Sequence, residues 1–216
     1  TLTAGSNDRR DGSLEAEFGG KYGYVRSNIS HNEADDYKDG SGKSVHSHFK
    51  RDSQMLQLGI TPTENTTIAG TYERSRAKVA YADRMMDGSK FDRDAWNVRF
   101  TQRNLTPWFS ELELRYGESE IDHVMDTYSL RTIRNPAGKQ IKNANNPKRN
   151  TDTGRLKATF DWDNLNLQTG VDYMDDVHVA RMERGGDGYS HKPFMPNQSF
   201  KQWGVFTEAA WQQTDK

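Results

Sequence analysis

The chain has 216 residues, of which 32% are hydrophobic, 28% are charged and 11% are aromatic, and its mean hydropathy is -1.03. A soluble domain of this length usually carries about 45–50% apolar residues, and disordered chains are poor in aromatic residues, so neither class fits. The net charge of -1 does not indicate nucleic-acid binding, and the absence of cysteine excludes disulfides, cysteine zinc sites and thiol catalysis within the chain.

A transmembrane β-barrel fits this composition, because its lumen and outer loops are polar and only every second residue over a short band must be apolar. Alternating apolar and polar residues predict strands, since successive side chains of a strand point to opposite faces. About nine strands are predicted. They are a short segment at 1–7, then 14–24, 54–60, 66–81, 95–103, 108–116, 155–162 and 165–173, and a last strand around 203–211.

The connections between these strands alternate in length. Short turns are predicted near 8–12, 61–65, 104–107 and 163–164, and long polar segments near 28–46, 83–92, 118–151 and 175–200. This pattern is typical of outer-membrane barrels, which have tight periplasmic turns and long extracellular loops. A soluble β-sandwich is the alternative, but it has little reason for several long loops on one edge. The predicted fold is therefore an all-β, antiparallel up-and-down meander.

The segment from Pro107 to Met125 carries the clearest alternation and a candidate metal site. Continued along the strand, its parity places His123 and Met125 on the charged face. An imidazole and a thioether two residues apart on one face can reach one copper ion, and the soft thioether favours Cu(I). The alternatives are a solvated His123 bonded to Glu120 or Asp122, and a Met125 that packs against a neighbouring domain. The apolar face carries Trp108, Leu112, Leu114 and Tyr116, and the charged face carries Glu111, Glu113 and Arg115.

Weaker candidates for metal binding lie elsewhere in the polar segments. Met174, His178 and Met182 share one parity and could form a second staging point for the ion, although ordinary residues at the base of a loop explain them better. His46, His48 and His191 add to an outer half that is moderately rich in histidine and methionine. No nucleophile-elbow pattern surrounds a serine, so the sequence does not predict an enzyme.

The segments at 81–100, 105–131 and 152–176 resemble the TonB-dependent outer-membrane copper receptor family. The resemblance implies part of a 22-stranded barrel in the outer membrane of a Gram-negative bacterium, closed by the receptor's own plug domain. It also implies copper uptake driven by the TonB complex. The family's His-x-Met pair matches His123-Val124-Met125, while the Cys and Met that the plug contributes have no counterpart in this chain.

Two further function classes stay open at this point. A TonB-dependent receptor for a metal–siderophore chelate predicts an aromatic, arginine-rich pocket in the loops, and a passive porin predicts no ligand cluster. Residues 1–216 are expected to form only part of a barrel, because an open sheet leaves unpaired backbone groups in lipid and bacterial barrels have an even number of strands.

Overall fold

The computed structural model describes residues 1–186 and 188–213, and these form an almost entirely β structure. Within the described residues there are twelve strands and one short 3-10 helix at Tyr189–His191. The strands are β1 (Leu2–Ala4), β2 (Arg10–Gly20), β3 (Gly23–Ala34), β4 (Tyr37–Lys38), β5 (Ser44–Val45), β6 (Phe49–Thr63), β7 (Thr66–Val79), β8 (Asp87–Arg103), β9 (Phe109–Asp126), β10 (Asn143–Trp162), β11 (Leu165–Arg184) and β12 (Met195–Trp211).

Ten of the strands form one sheet in the order β1-β2-β3-β6-β7-β8-β9-β10-β11-β12, and every neighbouring pair is antiparallel. The remaining two, β4 and β5, pair with each other in the loop between β3 and β6. The predicted antiparallel meander is confirmed. The described sheet is open, with β1 and β12 at its edges. No helix among the described residues is long and apolar enough to cross a membrane.

The two faces of the sheet are packed very differently. Glu113 on the polar face is 6% exposed, whereas its neighbour Leu114 on the apolar face is 50% exposed. The same contrast holds on β7, where Ala69 is 2% exposed and Ile68 is 37% exposed. Side chains converge on the concave face of a curved sheet and splay apart on the convex face, so these values indicate that the sheet curves with its polar face inward, as in a barrel wall.

Two rows of aromatic side chains cross the apolar face. The two rows are eight residues apart along the chain. On β12 they are marked by Trp203 and Trp211, and on β9 by Tyr116 and by Trp108, which directly precedes the strand. Between the rows this face carries mainly aliphatic side chains such as Leu114 and Val205. The outer row is Tyr72, Trp96, Tyr116, Tyr173 and Trp203. The inner row is Phe109, Phe160, Trp162 and Trp211, and the ring of Trp108 stacks on that of Phe160.

The prediction of a single strand over 14–24 is wrong, because the chain turns at 21–22 between β2 and β3. The apolar alternation continues through Tyr22 and Tyr24, so the pattern alone does not reveal the turn. Gly23 has a φ of 158°, and a Cβ atom there would lie 2.3 Å from the carbonyl oxygen of Gly59. Only glycine permits this close approach of β3 to β6.

The four long loops are shorter in the structure than predicted, because the strands continue into the polar segments. The connections are 35–48, which contains β4 and β5, then 80–86, 127–142 and 185–194, and we call the end of the sheet that carries them the outer end. Backbone pairing continues there although most side chains on both faces are polar; Glu118, Ser119 and Glu120 of β9, for example, pair with β10. Because these strand ends have no continuous apolar face, their sequence does not alternate regularly between apolar and polar residues.

Candidate metal site

His123 lies near the outer end of β9, seven residues beyond Tyr116 of the outer aromatic row. It lies on the polar face, as its parity with Glu113 predicts, since β9 and β10 pair without a register shift over this stretch. The imidazole stacks on the ring of Phe91 in β8, the residue with which His123 is paired. The ring centroids are 3.9 Å apart and the planes are inclined by 26°.

The Nε2 atom of His123 is buried and has no hydrogen-bond partner among the described residues. Leaving a buried polar atom unpaired costs about 1–3 kcal/mol, so such atoms are rare in folded proteins and call for an explanation. The alternative in which Glu120 or Asp122 holds the ring is wrong. Asp122 accepts hydrogen bonds from Lys90 Nζ at 2.7 Å and Asn146 Nδ2 at 2.6 Å, and Glu120 pairs with Lys148 at 2.7 Å.

Met125 follows two residues later on the same face and is paired with Gly88 of β8 and Asn145 of β10. A register shift in β8 between Gly88 and Lys90 lets the Phe91 ring lie over Gly88. A Cβ atom at Gly88 would be only 1.9 Å from Cε2 of Phe91. The bulge and the glycine together determine where Phe91 lies, and therefore the orientation of His123.

Asp87 connects the outer loops directly above this site. Its side chain is fully buried, and it accepts hydrogen bonds from Arg131 Nε at 2.7 Å, His46 Nε2 at 2.8 Å and the backbone N–H of Tyr81 at 2.9 Å. Burial by itself would raise the pKa of Asp87, but the hydrogen bonds from Arg131 and His46 outweigh it and lower the pKa to about 2. The residue is therefore a carboxylate that joins three loops at the start of β8.

The weaker candidates are not gathered into one site. Met174, His178 and Met182 lie four residues apart along β11, so successive Cα atoms are separated by about 13 Å and cannot share an ion. His178 Nε2 lies 3.0 Å from Asp176 Oδ2 and is thus already partnered, while Met182 is 58% exposed.

Parity predicted the face of His123 and Met125, but it did not reveal Phe91, Gly88 or Asp87. These residues lie 32 to 38 positions away from the pair in sequence and reach it only through the β8–β9 register. The one sequence signal for this part of the site is Phe91 itself, an aromatic residue in an otherwise polar segment.

No protein-family model matches the chain, and no curated protein matches it. Among solved structures, the chain is similar to "Copper transporter OprC", with a TM-score of 0.90 and 34% sequence identity. The match covers 99% of this chain and 34% of that chain. The described sheet is therefore similar to about one third of a copper transporter.

Proposed function

We propose that this chain is part of a TonB-dependent receptor that takes up copper ions across the outer membrane of a Gram-negative bacterium. In this proposal His123 and Met125 capture the ion on the inner face of the barrel wall. The observation that carries the proposal is the buried, unpartnered Nε2 of His123 on the same face as Met125, in a chain 34% identical to a copper transporter.

The apolar face supports a membrane location. From Trp108 to Tyr116 the chain covers nine residues, which matches the roughly 9–11 residues of a tilted strand that crosses a bilayer. Aromatic side chains at both ends of the band are typical of the two membrane interfaces.

The tyrosines of the outer row also indicate which way the sheet is oriented. The hydroxyl of Tyr116 donates to Asp152 at 2.9 Å, and the hydroxyl of Tyr72 donates to Asp94 at 2.8 Å. Each acid lies two residues beyond the level of its tyrosine, toward the outer end. The rings thus face the apolar band and the polar tips face away from it, as at the water side of a membrane interface.

Closure requires further strands. The backbone groups on the outer edges of β1 and β12, away from β2 and β11, have no partner strand in the described sheet, and such edges are not tolerated in lipid. A 22-stranded barrel with its own plug domain, opened by the TonB complex, would provide them, and the likeness to one third of a larger transporter supports this arrangement.

The donor atoms suit copper as the transported ligand. A thioether sulphur favours Cu(I), and an imidazole nitrogen binds copper in either oxidation state. Two donors bind weakly by themselves, so further ligands from a plug domain would complete the coordination and could release the ion when the plug moves. Phe91 contributes by holding the imidazole plane against one side of the site.

The test uses the full-length receptor in detergent and measures bound copper by mass spectrometry. The double variant His123→Ala/Met125→Ala is expected to lose the copper that the unmodified protein retains. Met174→Ala/His178→Ala is a matched control, because it removes the same two donor types from the polar face of β11. Equal copper content in all three proteins would remove the site assignment.

A receptor for a metal–siderophore chelate is the second candidate, and one feature of the outer loops favours it. The guanidinium of Arg181 lies 4.3 Å from the ring centroid of Phe194 and 5.1 Å from that of Tyr189. An arginine among aromatic rings is the kind of surface that an anionic chelate would contact. Copper content that is insensitive to His123 and Met125, together with binding of a ferric chelate, would support this candidate instead.

A further inference from the structure

The loop between β3 and β6 brings two histidines and an aspartate together. One ligand atom from each of Asp36, His46 and His48 lies within 4.8 Å of the other two. His48 Nδ1 is 2.8 Å from Asp36 Oδ1, and His46 Nδ1 is 4.0 Å from Asp36 Oδ2. The two imidazole rings are nearly perpendicular, with centroids 5.0 Å apart.

Asp36 is held in place by the backbone. Its Oδ1 atom accepts hydrogen bonds from the backbone N–H groups of Ser47 at 2.8 Å and His48 at 2.9 Å. The carboxylate is therefore oriented by the same short segment that carries both histidines. Its second oxygen, Oδ2, faces His46.

His46 is oriented from its other side by Asp87. The fully buried carboxylate of Asp87 lies 2.8 Å from Nε2 of His46 and is itself bonded to Arg131. A carboxylate only accepts hydrogen bonds, so Nε2 carries a proton, and Nδ1 is the nitrogen that can bind an ion on the side of Asp36. Metal-binding histidines characteristically donate their other N–H to a carboxylate in this way, which fixes the tautomer and the ring plane.

We propose that Asp36, His46 and His48 form a second metal site, which binds a divalent transition-metal ion such as Cu²⁺ or Zn²⁺. Two imidazole nitrogens and one carboxylate oxygen suit these ions, with water in the remaining position. Tetrahedral Zn²⁺ with bonds of about 2.0–2.1 Å separates its ligands by roughly 3.4 Å. The 4.0 Å distance from His46 to Asp36 would therefore shorten on binding, and the 2.8 Å distance from His48 to Asp36 would lengthen. The ion replaces the proton between His48 and Asp36.

This site is independent of the copper capture by His123 and Met125. Its donors are nitrogen and oxygen, whereas the His123–Met125 pair contains a soft sulphur, so the two sites prefer different ions or oxidation states. They are nevertheless close along β8, since Asp87 directly precedes Gly88, the residue paired with Met125.

The experiment uses the full-length receptor with His123→Ala/Met125→Ala, so that any remaining binding is separate from the first site. Cu²⁺ is titrated and followed by electron paramagnetic resonance, and Zn²⁺ is titrated by calorimetry. One Cu²⁺ per chain with a nitrogen-ligand signature is expected. Adding His48→Gln or Asp36→Asn is expected to weaken binding of both ions at least tenfold.

The variants are chosen so that loss of binding is not loss of folding. Neither His48 nor Asp36 hydrogen-bonds to Asp87, so these variants leave the Asp87 contacts to Arg131 and Tyr81 in place, and a thermal melt verifies that they fold.

The control is His31→Gln. His31 also contacts two carboxylates, Asp52 at 2.6 Å and Glu33 at 3.4 Å, but it is not part of a two-histidine cluster. The proposal would be overturned if the His123→Ala/Met125→Ala protein bound neither ion. It would also be overturned if adding His48→Gln or Asp36→Asn left the binding of both ions unchanged.

Discussion

The imidazole of His123 lies against the phenyl ring of Phe91 with 3.9 Å between their centroids, while its Nε2 atom is buried without a hydrogen-bond partner among the described residues. One face of the ring is thus fixed by packing and one ring nitrogen is free to bind. The relationship depends on the pairing of β8 with β9 and on the bulge at Ser89.

Phe91→Ala is expected to weaken copper binding by about tenfold without changing the stoichiometry at saturation, because the ligand atoms remain but the imidazole loses its support. About 1.4 kcal/mol corresponds to such a factor. Competition with a copper chelator of known affinity measures the change. Phe91→Tyr, which retains the stacked ring, should bind as the unmodified protein does, and an equally weakened Phe91→Tyr would show that stacking is not the cause.

Gly88→Ala is expected to reduce both the stability of the protein and, at the proposed site, its copper affinity. The added methyl group would lie 1.9 Å from Cε2 of Phe91, so the ring that supports His123 must move. Forcing an extra methyl group into a packed site costs about 1–3 kcal/mol. Gly154→Ala in β10 is the control, because the nearest atom to its Cβ position is 3.8 Å away. Chelator competition and thermal unfolding should separate the two variants; indistinguishable results would contradict the assigned role of Gly88.

Arg131→Ala is expected to loosen the outer loops together. It leaves the fully buried Asp87 without its charged partner, and removing one member of a buried pair typically costs about 3–5 kcal/mol. Hydrogen exchange should accelerate in 35–48, 80–86 and 127–142, since His46, Tyr81 and Arg131 reach Asp87 from these segments. Arg134→Ala, which removes only an exposed contact to the Gly138 carbonyl, serves as the comparison. Faster exchange confined to 127–142 would argue against Asp87 as the common anchor.

Leu112→Arg is expected to destabilise the barrel in lipid vesicles by about 2–4 kcal/mol, the cost of an arginine on the lipid face at the bilayer midplane. Leu112 lies midway between Trp108 and Tyr116. Asn150→Arg places the same charge on the same face but four residues beyond the level of Tyr116, where its paired neighbour is Glu120. It is expected to cost about 1 kcal/mol or less. Unfolding in denaturant gives both values, and equal costs would place the bilayer elsewhere.

Sequence alternation predicted the strands best where lipid would face them. The segments 108–116, 155–162 and 165–173 lie within or at the edge of β9, β10 and β11, because in the proposed barrel an apolar face is required there and a polar face would line the interior. Beyond the outer aromatic row this requirement ends, so the extension of β9 to Asp126 and the start of β10 at Asn143 left no alternating pattern. The turn at 21–22 was missed for the opposite reason, since the alternation continues through it.

The sequence by itself determined which face a strand residue occupies wherever the pairing is regular, including the shared face of His123 and Met125, because a strand has a period of two. Bulges interrupt this period, as at Ser89 and between Phe109 and Glu111, and only the structure shows where they lie. Only the tertiary structure decided which residues meet across strands and loops. Phe91 reaches His123 through strand register, and Asp87 reaches His46, 41 residues away, through the packing of separate loops. Such contacts depend on strand register and loop packing between distant parts of the chain, which no local pattern of residues encodes.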